Sequence, residues 1–110
     1  MPRFSTVAEV FEAMPKHFVP DAAAGMNAVI QLDLSGEGGG LWHLTVANQQ
    51  LKVSEGQAPN PNLTLRLSAA DYLSMINGDA NAMQMFMQGK VKVGGDMSLA
   101  LKMQNIFKMQ

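Results

Sequence analysis

Phe86-Met87-Gln88-Gly89-Lys90-Val91-Lys92-Val93-Gly94-Gly95-Asp96-Met97-Ser98-Leu99-Ala100-Leu101-Lys102-Met103-Gln104-Asn105 changes its pattern twice within twenty residues. Gly89 closes a short helix predicted over 80–88, a stretch made almost wholly of Ala, Met, Phe and Gln; glycine takes the left-handed cap without a Cβ clash. Lys90-Val91-Lys92-Val93 then alternates with period two, which predicts a brief strand whose lysines guard a sheet edge. Past the glycine pair, the Asp96 carboxylate can accept a free amide and start a last helix, expected to run to about Lys108. Ser98, Lys102 and Asn105 form its polar stripe, and Met97, Ala100, Leu101, Met103, Ile106 and Phe107 cover the rest.

Upstream, Ser68-Ala69-Ala70-Asp71 begins another capped helix. Tyr72, Leu73, Met75 and Ile76 give that helix an apolar side before Asn77-Gly78-Asp79 breaks it. Leu63, Leu65 and Leu67 alternate with Thr64 and Arg66 in a strand, while the prolines of 57–62 force a connection before it. Two further strands, Leu41–Ala47 and Leu51–Ser54, flank a hairpin turn at Asn48-Gln49-Gln50. Ala28, Ile30, Leu32 and Leu34 alternate with Val29, Gln31 and Asp33, a strand with one buried face. At the start, Thr6-x-x-Glu9 is a capping box for an amphipathic helix over 6–14, ended or kinked by Pro15. A short turn at Pro20–Ala24 stops at Gly25. Strands followed by helices describe an α+β domain, and 110 residues fit one core, so residues 1–110 are expected to form a single domain.

Composition excludes several functions. The chain has no cysteine, so disulfides, thiol nucleophiles and thiolate metal sites are absent together. His17 and His43 lie in different elements with no partner at ligand spacing, and no cofactor is expected. A net charge of −1 argues against a nucleic-acid partner. No apolar run approaches a membrane span, and neither end carries a targeting signal, so cytoplasm is the expected compartment. Charge is uneven: residues 1–79 carry −4 and residues 80–110 carry +3. Lys90, Lys92, Lys102 and Lys108 make either a solvated face or a transient docking surface for anionic membrane or a phosphorylated acyl carrier. Ser35–Gly40 is glycine-rich but is followed by a strand pattern, which fits a hairpin loop rather than a phosphate cradle. His43 with Asp33 and Tyr72 is the one acid–base set that can be assembled on paper, and nothing in the spacing forces it.

The quoted segment, read as Phe86-x-x-Gly89-Lys90-Val91-Lys92-Val93-x-Gly95-Asp96-Met97-x-Leu99-Ala100-x-Lys102-Met103-Gln104-Asn105, resembles the closing part of type-two sterol carrier (nonspecific lipid-transfer) domains. Ala70-Asp71-Tyr72-Leu73-Ser74-Met75-Ile76-Asn77-Gly78 resembles the helix that precedes it in that family. The match is close over residues 63–107 and one of element order over 1–62. The resemblance implies a five-stranded mixed, mostly antiparallel sheet with helices on one face, enclosing an apolar tunnel for sterols, fatty acids or fatty acyl-CoA. It also implies no catalytic residues, although related domains occur fused to enzymes.

Ten methionines, seven of them from Met75 onward, suit either core filling or a deformable pocket. Met75, Met83, Met87, Met103 and Phe107 are the candidate tunnel wall. Gln104 shares a helical face with Met97, Ala100 and Phe107, so its amide either meets a ligand head or reaches solvent. A dry void of about 400 Å³ would cost near 10 kcal/mol, so the tunnel is expected to be filled, hydrated or partly collapsed. The expected state is a monomer or weak homodimer. The competing reading is an interaction module or accessory subunit that presents a Met-rich apolar face to a lipid-metabolising enzyme.

Overall fold

The period-two stretch from Ala28 becomes the central strand of a five-stranded sheet. A computed structural model describes residues 4–107, with the side chains of Ala82, Leu101 and Gln104 outside the described set. The elements are α1 (Val7–His17), β1 (Ala28–Ser35), β2 (Gly40–Ala47), β3 (Gln50–Glu55), β4 (Leu63–Ser68), α2 (Ala69–Ile76), α3 (Ala82–Met87), β5 (Lys92–Gly95) and α4 (Met97–Ile106), with a 3-10 turn at Pro20–Ala23. The strand order is β3-β2-β1-β4-β5. β1 and β4 run parallel, and the other three pairings are antiparallel.

Register sorts the side chains into two faces. Ile30, Leu32 and Leu34 stand beside Leu63, Leu65 and Leu67 on one side, and Ile30 and Leu32 beside Leu44 and Trp42 on the other. This apolar face carries the helices: Phe11 of α1 stacks on Trp42 at 4.3 Å between ring centroids, and Tyr72 of α2 lies 5.7 Å from Phe11. Offset ring stacking adds to the area these large side chains bury. α2 and α4 both lie against β4. The opposite face carries Asp33, His43, Thr45, Lys52, Thr64, Arg66 and Lys92.

Local chemistry explains the boundaries. Thr6 accepts from the Glu9 amide while Glu9 accepts from the Thr6 amide, the reciprocal capping box expected for α1. The Ser68 hydroxyl caps α2 through the Asp71 amide at 3.0 Å, and Asn81 caps α3 through Met83 and Gln84. Asp96 caps α4 by accepting from the Ser98 amide at 2.9 Å and the Ser98 hydroxyl at 2.6 Å. Those hydrogen bonds, with a smaller contribution from Lys102, hold the Asp96 carboxyl below its usual range. The β2–β3 turn is Asn48-Gln49, both in the left-handed region, which matches the twist of the flanking strands.

Several boundaries differ from the sequence reading, and three of them have a clear local cause. α1 runs through Pro15 to His17, because a proline in the closing turns removes one amide without stopping the remaining bonds. β5 lies two residues later than the expected 90–93: Lys90 donates to the Met85 carbonyl and stays in the turn, and the ladder continues into Gly94 and Gly95. Gly95 has φ +95 and presses on the Asn62 carbonyl, a place without room for a Cβ. α4 ends at Ile106, because Phe107 becomes extended and bridges Phe18 while Val19 donates to the Ile106 carbonyl.

Gln31 departs from its expected solvent face. It is fully buried: its amide nitrogen donates to Asp33 Oδ1 and the Gly56 carbonyl, and its oxygen accepts from the Ala58 amide at 2.8 Å. The connection after β3 folds back over the polar face and uses this side chain as its attachment.

Candidate functional site

The apolar positions of the C-terminal third divide into buried and exposed sets. Within α3, Met85 is the one described side chain that is buried; Met83 is 49% exposed, Phe86 41% and Met87 78%. Met97, at the start of α4, is 47% exposed. A six-residue helix cannot hold itself in water, and among its described side chains α3 has a single buried anchor besides the Asn81 cap. It therefore presents a thioether-rich surface on a weakly held element. Leu73, Met75 and Ile76 of α2, Leu65 of β4, Val93 of β5, and Ala100 and Met103 of α4 are partly buried where they pack against the core that Met85 also joins.

Of the candidate wall residues, Met75, Met103 and Phe107 fall in this partly buried class, and Phe107 packs 5.9 Å from Phe18. Met83 and Met87 stand in solvent on α3. Gln104 lies in α4, but its side chain is outside the described residues, as is Lys108. Lys90 and Lys92 come together with Arg66, whereas Lys102 lies on α4.

Lys90, Lys92 and Arg66 line an open depression of about 590 Å³ with Asp33, Ser35, Leu41, Ser68 and Asp71. The Arg66 Nε donates to Asp33 Oδ2 at 3.3 Å. The depression lies where the ends of β1 and β4 meet the start of α2, and its three cations against Asp33 and Asp71 leave a surface that suits anions rather than hydrocarbon. The second depression, about 210 Å³, is formed by the β2–β3 hairpin around Thr45, Ala47 and Lys52.

The paper acid–base set does not assemble. His43 points to the polar face with Nδ1 3.0 Å from the Gly56 carbonyl oxygen, and Asp33 is tied to Arg66 and Gln31. Tyr72 lies across the sheet, among the aromatic rings. Among the described residues there is no group of three or more His, Cys, Asp or Glu that could hold a metal, and no helix is long and apolar enough to cross a membrane.

Tyr72 carries the feature that sequence reasoning missed. It is buried, and its hydroxyl has no hydrogen-bond partner. A buried hydroxyl left unmatched costs about 1–3 kcal/mol. Burial alone pushes its pKa up from the ordinary tyrosine value, so it stays protonated. The helical apolar pattern placed the ring inside; nothing in that pattern shows whether the oxygen meets a partner.

Comparison with known proteins agrees with this architecture. The model of the SCP-2 sterol transfer family matches residues 9–108. The hydroxysteroid dehydrogenase-like protein 2 of Rattus norvegicus is 29% identical over 106 residues, which is 96% of this chain and 20% of that protein. The chain thus spans about a fifth to a quarter of the curated relatives it matches. Sterol carrier protein 2 from Yarrowia lipolytica, solved in its apo form, is 29% identical with a TM-score of 0.68, covering 82% of this chain and 73% of that one. Palmitated SCP2L2 from Aedes aegypti is 25% identical with a TM-score of 0.69, covering 92% and 93%.

Proposed function

The chain belongs to the SCP-2 sterol transfer family, and on that premise we propose that it binds and carries sterols, fatty acids or fatty acyl-CoA without catalysing a reaction. The observation that carries this reading is the α3 surface, where Met83, Phe86 and Met87 are exposed around the buried Met85 that ties the helix to the core. Apolar side chains gathered on a weakly held helix are suited to closing over hydrocarbon, and methionine adapts to chains of different shape. The tunnel is then a space the ligand opens between α2, α3 and α4 and the β4–β5 side of the sheet. The separation of His43 and Asp33 from Tyr72 favours the non-catalytic form of the reading.

Burial of a sixteen-carbon chain gains roughly 13 kcal/mol at about 0.8 kcal/mol per methylene. Association and chain ordering offset an estimated 4–15 kcal/mol of that, which leaves micromolar or tighter binding within reach. The depression lined by Arg66, Lys90 and Lys92 gives an anionic membrane surface, or the phosphates of a CoA thioester, a place to approach where the ends of β1 and β4 meet the start of α2.

The same exposed methionines also support a second reading, in which α3 covers a lipid-metabolising partner enzyme. Native mass spectrometry of freshly purified protein, followed by solvent extraction, separates the two. A stoichiometric lipid supports carriage. A protein free of lipid that also refuses fluorescent fatty acids, yet associates with concentration or partner, overturns it.

A further inference from the structure

We propose that the Tyr72 hydroxyl is the polar anchor of the lipid site, donating a hydrogen bond to the uncharged oxygen head of a bound amphiphile such as a long-chain alcohol, a sterol, an ester or a protonated acid. The inference rests on the carrier reading and adds to it a ligand class and an orientation, with the head held inside the fold beside α2. Among the described residues, the Tyr72 hydroxyl is the one buried side-chain polar group without a partner. The fold does not leave such groups unmatched by habit: buried Gln31 has both ends of its amide engaged, with Asp33, Gly56 and Ala58. Phenylalanine at position 72 would make the same ring contact with Phe11 and expose no orphan oxygen, so the hydroxyl does nothing for the folded chain itself.

Its placement suits a receptor for a head group. The ring is fixed in a column, Tyr72 on Phe11 and Phe11 on Trp42, with ring planes 14° and 13° apart. A donor held rigid before binding loses little freedom on binding. Leu73, Met75 and Ile76 on the same helix give the adjoining hydrocarbon an apolar surface. The ligand class follows from the surroundings: burial is the sole perturbation of the Tyr72 hydroxyl, which leaves no countercharge to hold an ionised head there. An ion buried without a partner is far more costly than a neutral oxygen.

The test compares 1-hexadecanol with n-hexadecane, each delivered from cyclodextrin, in displacing a headless pyrene-labelled alkane from the wild type and from Tyr72→Phe. The wild type should bind the alcohol about tenfold more tightly than the alkane, the worth of one hydrogen bond of about 1.4 kcal/mol. Tyr72→Phe should erase that preference while it keeps its alkane affinity and a melting temperature equal to or above the wild type's. A preference that survives in Tyr72→Phe, or a wild type that does not discriminate, refutes the anchor and leaves the carrier reading standing. A drop in the variant's melting temperature without ligand also refutes it, since the hydroxyl would then have a partner in the fold. Failure of the wild type to take up the probe at all removes the carrier reading, and the anchor with it.

Discussion

Replacing both exposed methionines of α3, as Met83→Gln with Met87→Gln, tests whether that helix closes over the ligand. Glutamine is unbranched and a good helix former, so the backbone preference of α3 is kept. Met83 and Met87 leave 49% and 78% of their surface in solvent. Full burial of a methionine side chain is worth about 2 kcal/mol. Scaled by the exposure still to be lost, the two contribute roughly 1.0 and 1.6 kcal/mol on closure, which predicts affinity weakened about 70-fold. Stability should hardly change, because substitutions at exposed sites usually stay within about 0.5 kcal/mol. A fluorescent fatty-acid titration reads the first quantity and a thermal melt the second. Met85→Gln is the contrast: Met85 is buried, and an amide there should lower the melting temperature. If the double variant binds as tightly as the wild type while remaining folded, α3 does not touch the ligand, and the placement of the site beside it is wrong.

Two further outcomes follow from buried polar groups. Burial raises the pKa of Tyr72 above the ordinary value of 10.0, so the unfolded chain releases that proton first and stability falls as pH rises past 10. The slope from this one group approaches about 1.4 kcal/mol per pH unit, and denaturant melts between pH 9 and 11.5 should show it in the wild type and not in Tyr72→Phe. Gln31→Leu strands the Ala58 amide under the connection after β3, while the Gly56 carbonyl keeps His43 as a neighbour; it should destabilise by about 1–3 kcal/mol, seen as a lower urea midpoint, with lipid affinity unchanged because the loss is on the opposite face of the sheet.

Much of the scaffold was legible because its signals are local. Alternation from Ala28 to Leu34 marks β1, the Asn48-Gln49 turn marks the hairpin, and Thr6 with Glu9, Ser68 and Asp96 mark three helix starts. What escaped depends on chain segments far apart. Gln31 follows the solvent-facing period of its strand, yet residues 56–58 return to cover it. The two-residue displacement of β5 comes from Lys90 bonding back to Met85 and from Gly95 fitting against Asn62, neither visible in a Lys-Val-Lys-Val alternation. For the site, the methionine clustering drew attention to the C-terminal third, where α3 exposes Met83 and Met87. It did not distinguish buried Met85 from its exposed neighbours Met83 and Met87, because one helical turn decides which side chain meets the core. Arg66 belongs with Lys90 and Lys92 across strands, and its place in the period-two pattern of β4 would have put it on their face.

The parallel pairing of β1 with β4 imposes an order of assembly. Ile30 and Leu63 are partners yet stand 33 positions apart in the chain, so their contact closes a long loop before any reward arrives. β2 and β3 can zip at once from the tight turn at Asn48-Gln49, and β1 joins them through the short glycine-rich connection. The β4 strand joins the sheet at this entropic cost, and α2, α4 and the β5 edge all pack or pair against it. The half of the molecule proposed to face lipid is therefore joined to the meander through a pairing that costs more chain entropy than the β2–β3 hairpin.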